Sequence, residues 1–262
     1  MPLTTRDLVA VVHLQPEGWP DILASIQYYC ASDFCFPFKA ILNGKLAGIG
    51  TAIVHGRTAW LAHIIVHKEY RNSGIGTTLT RSLIDFIRGT PCQTILLIAT
   101  ALGEPVYKKA GFEMETEYLF FESGTFLQQE PVNEITRFKK KYKNALLELD
   151  HSVSGEDRKK LLENHLINAF LFVENNSLKG FYIPTLGDGL IISDTQEAGL
   201  ELMKVRFTLH QKFCFPLPNQ HGINFLISQG FIEYRRASRM ILGKRFPWNA
   251  TKIYNRIGGN LG

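Results

Sequence analysis

The residues best suited to chemistry crowd into one short run. Arg71-Asn72-Ser73-Gly74-Ile75-Gly76-Thr77 places a permanent cation just ahead of two glycines. An apolar, strand-like run, Leu61 to Val66, precedes it. After it Ile75, Leu79, Leu83, Phe86 and Ile87 recur at helix spacing. A strand that turns through glycines into a helix gathers free backbone N–H groups and the positive helix end at one point. Such a point takes an anion, and a phosphate or pyrophosphate fits it. Gly74 and Gly76 let the backbone approach that ligand because no side chain intervenes. His63, on the strand ahead, is titratable near neutral pH.

Two other phosphate loops are excluded. A dinucleotide fingerprint needs Gly or Ala three residues after its second glycine, and Leu79 stands there. A P-loop needs Gly-Lys followed by Ser or Thr. Gly44-Lys45-Leu46 and Gly243-Lys244-Arg245 both lack it. The remaining pattern, Arg-x-x-Gly-x-Gly, resembles the acyl-CoA pyrophosphate loop of the GNAT acyltransferase superfamily.

The elements around the loop extend that resemblance. Leu8 to Leu14 reads as a strand, and a helix begins at Ile22 after Pro16, Gly18 and Pro20. Phe36 to Leu42 and Leu46 to Val54 are strand-like runs joined at Asn43-Gly44, a strong hairpin signal. His55-Gly56-Arg57 turns the chain again into Thr58 to Val66, which completes a three-strand meander. The helix after the loop stops near Arg88, before Gly89-Thr90-Pro91. Thr94 to Ala99 is continuously apolar, hence a strand buried on both faces. A short helix and a last strand through Phe121 follow. This order resembles a whole GNAT domain, an α+β fold with an α/β-type mixed sheet. The stretch Ala99-Thr100 … Gly103-x-Pro105-x-Tyr107-x-x-x-Gly111-Phe112 is similar to the family's segment beside the cofactor.

The resemblance implies an acyl-CoA-dependent N-acyltransferase, most simply one using acetyl-CoA. The backbone of Ile64, Ile65 and Val66 would pair with the pantetheine arm and polarise the thioester carbonyl. Arg71, Asn72, Ser73, Gly74, Ile75, Gly76 and Thr77 would hold the pyrophosphate. Tyr107 matches the family tyrosine that protonates the departing thiolate, and the alternative is that its ring packs under the cofactor. As an acid it predicts that Tyr107→Phe lowers turnover mainly above neutral pH. The glutamate that some members use as base is missing from Thr58 to Ala62. His63 shares a strand face with Ile65, and either reaches the cleft or sits hydrogen-bonded in the core. Tyr28, Tyr29, Asp33 and Phe34 are candidate walls of the acceptor pocket, with Asp33 suited to a cationic amine. No cysteine or serine near the motifs has a basic partner, so direct attack is expected.

Residues beyond about 130 read as a repeat of the first half. Asn175-Asn176 mirrors Asn43-Gly44, and Gly230-Phe231 mirrors Gly111-Phe112. The repeat lacks Arg-x-x-Gly-x-Gly, and Leu226 stands opposite Tyr107. Its helix opens at Asp194 with Glu197 three residues on, a capping box that would repel a pyrophosphate. The expected division is a catalytic domain at 1–123, a linker at 124–134 and a smaller, degenerate GNAT-like domain at 135–262.

Composition bounds the rest. The 262 residues are 45% hydrophobic and 20% charged, as in a globular protein with a real core. No apolar run approaches the ~20 residues of a membrane span, and the N-terminus does not resemble a signal peptide. The four cysteines show no framework spacing, so reduced thiols and a cytoplasmic location are expected. The basic run Arg137 to Lys143 reads as a solvated helix face, not a nucleic-acid site. No metal site is expected, homodimerisation stays open, and the partner is a small-molecule or peptide amine. A rival from another class is a protein that binds acyl-CoA as a regulator without turning it over.

Overall fold

The computed structural model describes residues 1–124 and 132–261. In chain order its first half forms α1 (Leu8–Val11), α2 (Leu23–Ala31), β1 (Cys35–Leu42), β2 (Lys45–His55), β3 (Thr58–Val66), α3 (Ile75–Arg88), β4 (Thr94–Ala99) and α4 (Glu104–Lys109). Then come β5 (Glu113–Glu122), β6 (Ile135–Arg137), α5 (Lys143–Ser154), α6 (Lys159–Glu163), β7 (Phe170–Glu174), β8 (Ser177–Ile183) and β9 (Leu190–Ser193). The chain closes with α7 (Gln196–Phe207), β10 (Phe213–Pro216), α8 (Gln220–Ser228), β11 (Ile232–Gly243) and β12 (Ile253–Asn255). The mixed-sheet α/β fold expected from the sequence is present.

The compact units do not follow the contiguous division expected at 123 and 135. Unit 1 holds Met1–Glu113, Met240–Arg245 and Gly259–Leu261. Unit 2 holds Met114–Arg239 and Phe246–Gly258. The physical reason is strand pairing, which assigns a strand to its hydrogen-bonded neighbours whatever its place in the chain. Tyr118 to Phe121 of β5 pair antiparallel with β10 inside unit 2. In unit 1 the Lys244 amide, just past β11, donates to the Gln93 carbonyl at 2.9 Å, beside β4. Of the expected linker, residues 125–131 lie outside the described ones.

Unit 1 is ordered β1-β2-β3-β4 with the end of β11 next to β4. The first two pairings are antiparallel and β3–β4 is parallel. Asn43 (φ 50°) and Gly44 (φ 76°) both take positive φ, the backbone that lets a two-residue turn follow strand twist. Helix α3 buries Leu79, Leu83 and Ile87 from the expected face and Ile84 beside them, while Ile75 and Phe86 are half-buried. It lies close to the sheet because β2 offers glycines beneath it. A β-carbon on Gly50 would stand 2.9 Å from Leu83 Cδ1, and one on Gly48 3.1 Å from Leu79 Cδ1. The core there includes Leu61, Leu83, Ile87, Leu97, Phe112 and Met240. Emptying Leu83 to alanine would cost about 2–5 kcal/mol.

Unit 2 contains an antiparallel sheet ordered β12-β9-β8-β7-β6, and β5 lies between β11 and β10. Helix α7 packs on it through a core that includes Tyr182, Leu202, Met203, Phe215 and Leu226.

Three local expectations are corrected. Leu8 to Leu14 is helical, not a strand, made of α1 and a 3-10 turn at Val12–Leu14. Val11 and Leu14, three apart, are buried while Val9 and Val12 are exposed, a helical pattern hidden by valine's strand preference. The cap of α7 is Thr195, whose hydroxyl accepts from the Ala198 amide at 3.3 Å. Asp194 lies just past β9, its amide bonded to the Lys179 carbonyl and its carboxylate paired with Lys252 at 2.6 Å. The basic run is no single helix face: it is shared among β6, a 3-10 turn at Lys140–Tyr142 and the start of α5.

Candidate active site

The parallel register of β3 with β4 runs from Thr58↔Thr94 to Trp60↔Leu96 and stops there. From Leu61 onward β3 is held by β2. Its other edge therefore carries the backbone of Ile64, Ile65 and Val66 without a strand partner in that register. Strand β3 also bulges. Ile49 faces Ile65 and Thr51 faces Ala62, so Gly50 alone stands opposite His63 and Ile64. His63 absorbs the extra residue at φ 45°, a left-handed backbone that non-glycine residues seldom take. The bulge breaks the alternation that placed His63 on one face with Ile65. That part of the expectation is corrected.

Eight residues connect β3 to α3. His67 Nδ1 accepts from the Glu69 amide, and Lys68–Tyr70 forms a 3-10 turn. Arg71 Nε donates to the Val66 carbonyl at 3.3 Å, which ties the cation to the strand end. The Ser73 hydroxyl folds back on the Tyr70 carbonyl. Asn72 and Gly74 take φ of 62° and 85°, and α3 starts at Ile75 after Gly74 in the cap position, with no side-chain cap and no acid in its first turn. The first intrahelical bond runs from the Thr78 amide to the Gly74 carbonyl at 2.9 Å. The amides of Gly74, Ile75, Gly76 and Thr77 precede it, and Arg71 to Gly74 are exposed. The arrangement can hold a multiply charged anion on main-chain N–H groups, with the helix dipole and Arg71 adding positive potential.

Tyr107 stands on α4. The Thr100 hydroxyl accepts from the Gly103 amide at 3.2 Å and so shapes the turn into this helix. The tyrosine ring lies over Gly103, where a β-carbon would come within 2.9 Å of Cε2. Phe112 meets the same ring edge-on at 6.0 Å. Burial pushes the phenol up to about 12, so the hydroxyl is protonated across any working pH. That changes the expected pH signature of Tyr107→Phe, since no loss of the proton occurs near neutrality.

A row of aromatic rings leads away from the bulge. Trp19 meets His63 edge-on at 6.1 Å, Tyr29 tilts against His63 at 5.6 Å, and Tyr28 stands T-shaped to Tyr29 and to Phe34. Tyr29 is buried, and its hydroxyl is 2.9 Å from His63 Nδ1. Burial holds the His63 imidazole down to about 4, which keeps it neutral at physiological pH. Asp33 is exposed beside Phe34 in the chain. The structure thus brings Tyr28, Tyr29 and His63 together with two residues that the sequence did not flag. Trp19 sits in a loop where Gln15 Nε2 donates to the carbonyls of Pro16, Trp19 and Pro20. Asn260 donates from Nδ2 to the Tyr29 hydroxyl at 2.6 Å across 231 positions of sequence.

Residues 7–112 match the sequence model described as the Acetyltransferase (GNAT) family, and the splayed strand, bulge and uncapped helix all fall inside that span. This region is similar to the GNAT family. A Bacillus subtilis (strain 168) protein, the uncharacterized N-acetyltransferase YitH, is 27% identical over 155 residues. That match covers 58% of this chain, and the chain spans about half (54%) of the relative's length. The crystal structure of a proposed acetyltransferase from Pyrococcus horikoshii superposes with a TM-score of 0.86 at 22% identity, covering 100% of this chain and 95% of that one. A GCN5-related N-acetyltransferase from Sphaerobacter thermophilus gives 0.62 at 14%, covering 96% and 97%. Both share the fold of nearly the whole chain. Among the described residues, no helix is long and apolar enough to cross a membrane, and no three His, Cys, Asp or Glu side chains cluster as metal ligands.

Proposed function

We propose that this chain is an N-acetyltransferase that moves the acetyl group of acetyl-CoA to an amine of a small molecule or peptide by direct attack. One observation carries the reading: the unpaired β3 edge at Ile64–Val66 runs straight into an uncapped helix start at Gly74. An extended amide chain ending in a pyrophosphate fits that sequence of donors. Acetyl-CoA supplies the activated acyl group. The amides along β3 orient its carbonyl and take up charge developing on the oxygen. The amine nitrogen forms the new C–N bond as the C–S bond breaks, and Tyr107 donates its hydroxyl proton toward the leaving sulfur. Arg71 and residues 72–77 hold the diphosphate. The amine must arrive neutral, and the proton its nitrogen loses on becoming an amide passes through water to restore the Tyr107 hydroxyl, because His63 Nδ1 is already engaged by the Tyr29 hydroxyl at 2.9 Å. The second half we read as a GNAT-like repeat that kept the fold and not the transfer site.

The test is a thermal shift with acetyl-CoA followed by a thiol-release assay over an amine panel. Stabilisation together with thiol release from at least one amine is the expected result. An unshifted melting curve would sink cofactor binding at this loop. A shift with no thiol released from any amine would favour a regulator that binds acyl-CoA.

A further inference from the structure

His63 occupies a costly position. A non-glycine residue in the left-handed region is destabilised by about 1–2 kcal/mol, and the imidazole is half-buried as well. The network behind it gives that strain a use. Asn260 Nδ2 donates to the Tyr29 hydroxyl oxygen at 2.6 Å. With its oxygen already accepting from Asn260, the hydroxyl turns its own hydrogen toward His63 Nδ1, 2.9 Å away. A neutral imidazole whose Nδ1 accepts carries its proton on Nε2. Burial keeps the ring neutral, at about 4. Trp19 and Tyr29 flank the ring, so Nε2–H is the polar function left for a ligand. It belongs to the residue just ahead of the Ile64–Val66 edge. Asn260 reaches this place because Gly259–Leu261 pack within unit 1, with Leu261 only 9% exposed.

We propose that Asn260 is a positioning residue for the transfer site: through Tyr29 it fixes His63 as an Nε2–H donor that receives a carbonyl oxygen of the reactants. His63 then acts by donating a hydrogen bond, not by removing the amine proton. The carbonyl belongs either to the thioester or to the acceptor molecule. The ligand side of this inference rests on the acyl-transfer reading, whereas the state of the ring does not.

The decisive variant is Asn260→Asp. A carboxylate of the same shape can only accept, so Tyr29 turns its proton toward it and His63 must protonate Nδ1 instead. Imidazole ¹⁵N NMR on the full-length labelled chain reads this directly. The wild type is expected with Nε2 protonated and Nδ1 bare, and Asn260→Asp with the reverse. Turnover in Asn260→Asp should fall about tenfold or more, since a lost hydrogen bond of 1.4 kcal/mol is tenfold, while the thermal shift with acetyl-CoA persists. His63→Gln, which keeps an N–H donor, should retain more activity than His63→Leu. A lower kcat with both KM values unchanged would assign the thioester carbonyl, and a raised amine KM would assign the acceptor's. Nδ1 protonated in the wild type, or equal activity in His63→Gln and His63→Leu, would overturn the proposal. The expected ¹⁵N pattern in a chain that acetylates no amine would leave Asn260 as the group that sets His63 and would sink the transfer reading instead.

Discussion

Helices α3 and α7 each follow the third strand of an antiparallel meander, yet their N-termini are finished in opposite ways. At α7 the cap is Thr195, its hydroxyl takes the Ala198 amide, and Glu197 lies in the first turn. At α3 the cap is Gly74, no side chain closes it, and the nearest charge is Arg71. Two residues separate β9 from α7, whereas eight separate β3 from α3, which leaves room for a loop. A second pair of positions repeats the contrast. The Phe112 amide bonds to the Tyr107 carbonyl and the Phe231 amide to the Leu226 carbonyl, each at 3.0 Å. Matching backbone thus presents a phenol in one half and a fully buried leucine in the other. A helix start can satisfy its amides from within the chain or keep them for an anion, and not both.

The largest effect should come from erasing the phenol. Tyr107→Phe keeps the ring over Gly103 and removes the hydroxyl, and should lower kcat about 100-fold, the low end for a general acid. Because burial pushes this phenol up to about 12, the protonated, donating form persists through alkaline pH. The deficit should therefore be constant from pH 6 to 10, with the acetyl-CoA thermal shift unchanged. A deficit that grows only above neutrality would mean the phenol titrates there and would contradict the burial argument.

Next comes an α3 start rebuilt to resemble that of α7. Gly74→Asp adds a carboxylate where the diphosphate is expected, and should weaken acetyl-CoA binding by about 100-fold through like-charge repulsion. The backbone at φ 85° also resists a side chain. Gly74→Asn separates the two causes, since asparagine tolerates that backbone without the charge. Calorimetric titration with acetyl-CoA should find Gly74→Asn much closer to the wild type than Gly74→Asp. Equal losses in both would move the explanation from charge to backbone strain.

The contrast was legible in the sequence where it rests on local chemistry. Glycines at 74 and 76, the hairpin at Asn43-Gly44 and the buried run of β4 each declare themselves within a few residues. Long-range pairing left no such trace. Nothing in the sequence around Glu113 says that β5 will pair with β10, because antiparallel partners are chosen by complementarity across the fold. The bulge at His63 escaped for a similar reason: it depends on register against Gly50, and a histidine's mild preference for a left-handed backbone does not fix where a bulge falls. Asn260 lies in a polar, glycine-rich ending whose composition predicts nothing about a buried tyrosine so far upstream. At Asp194 the local reading is off by one residue because the aspartate's amide is still tied to the Lys179 carbonyl of the neighbouring strand, which leaves the cap to Thr195.

A smaller effect should follow Arg71→Ala. The side chain is exposed, so its attraction for a diphosphate is screened, and a loss of about tenfold in acetyl-CoA affinity is expected at low ionic strength. The loss should shrink as salt is raised while kcat at saturation stays unchanged. A salt-independent loss would mean that Arg71 acts by holding the Val66 carbonyl, and so the end of β3, instead of attracting charge.

The smallest effect tests the other side of the comparison. Thr195→Ala removes the α7 cap and should cost about 1 kcal/mol, lowering the melting temperature by roughly 3 °C. If α7 satisfies its own amides and holds no ligand, acetyl-CoA affinity and turnover should be unchanged by this substitution. The freed Ala198 amide would still face Glu197 in the first turn, so opening the cap does not create an anion site. The double variant Thr195→Ala with Glu197→Gln takes that remaining charge away. Titration of both variants with acetyl-CoA at equal protein concentration should show one binding event, as in the wild type. A second event in the double variant alone would mean that the second half kept a cryptic anion site, and that capping, not the missing glycine loop, is what silenced it.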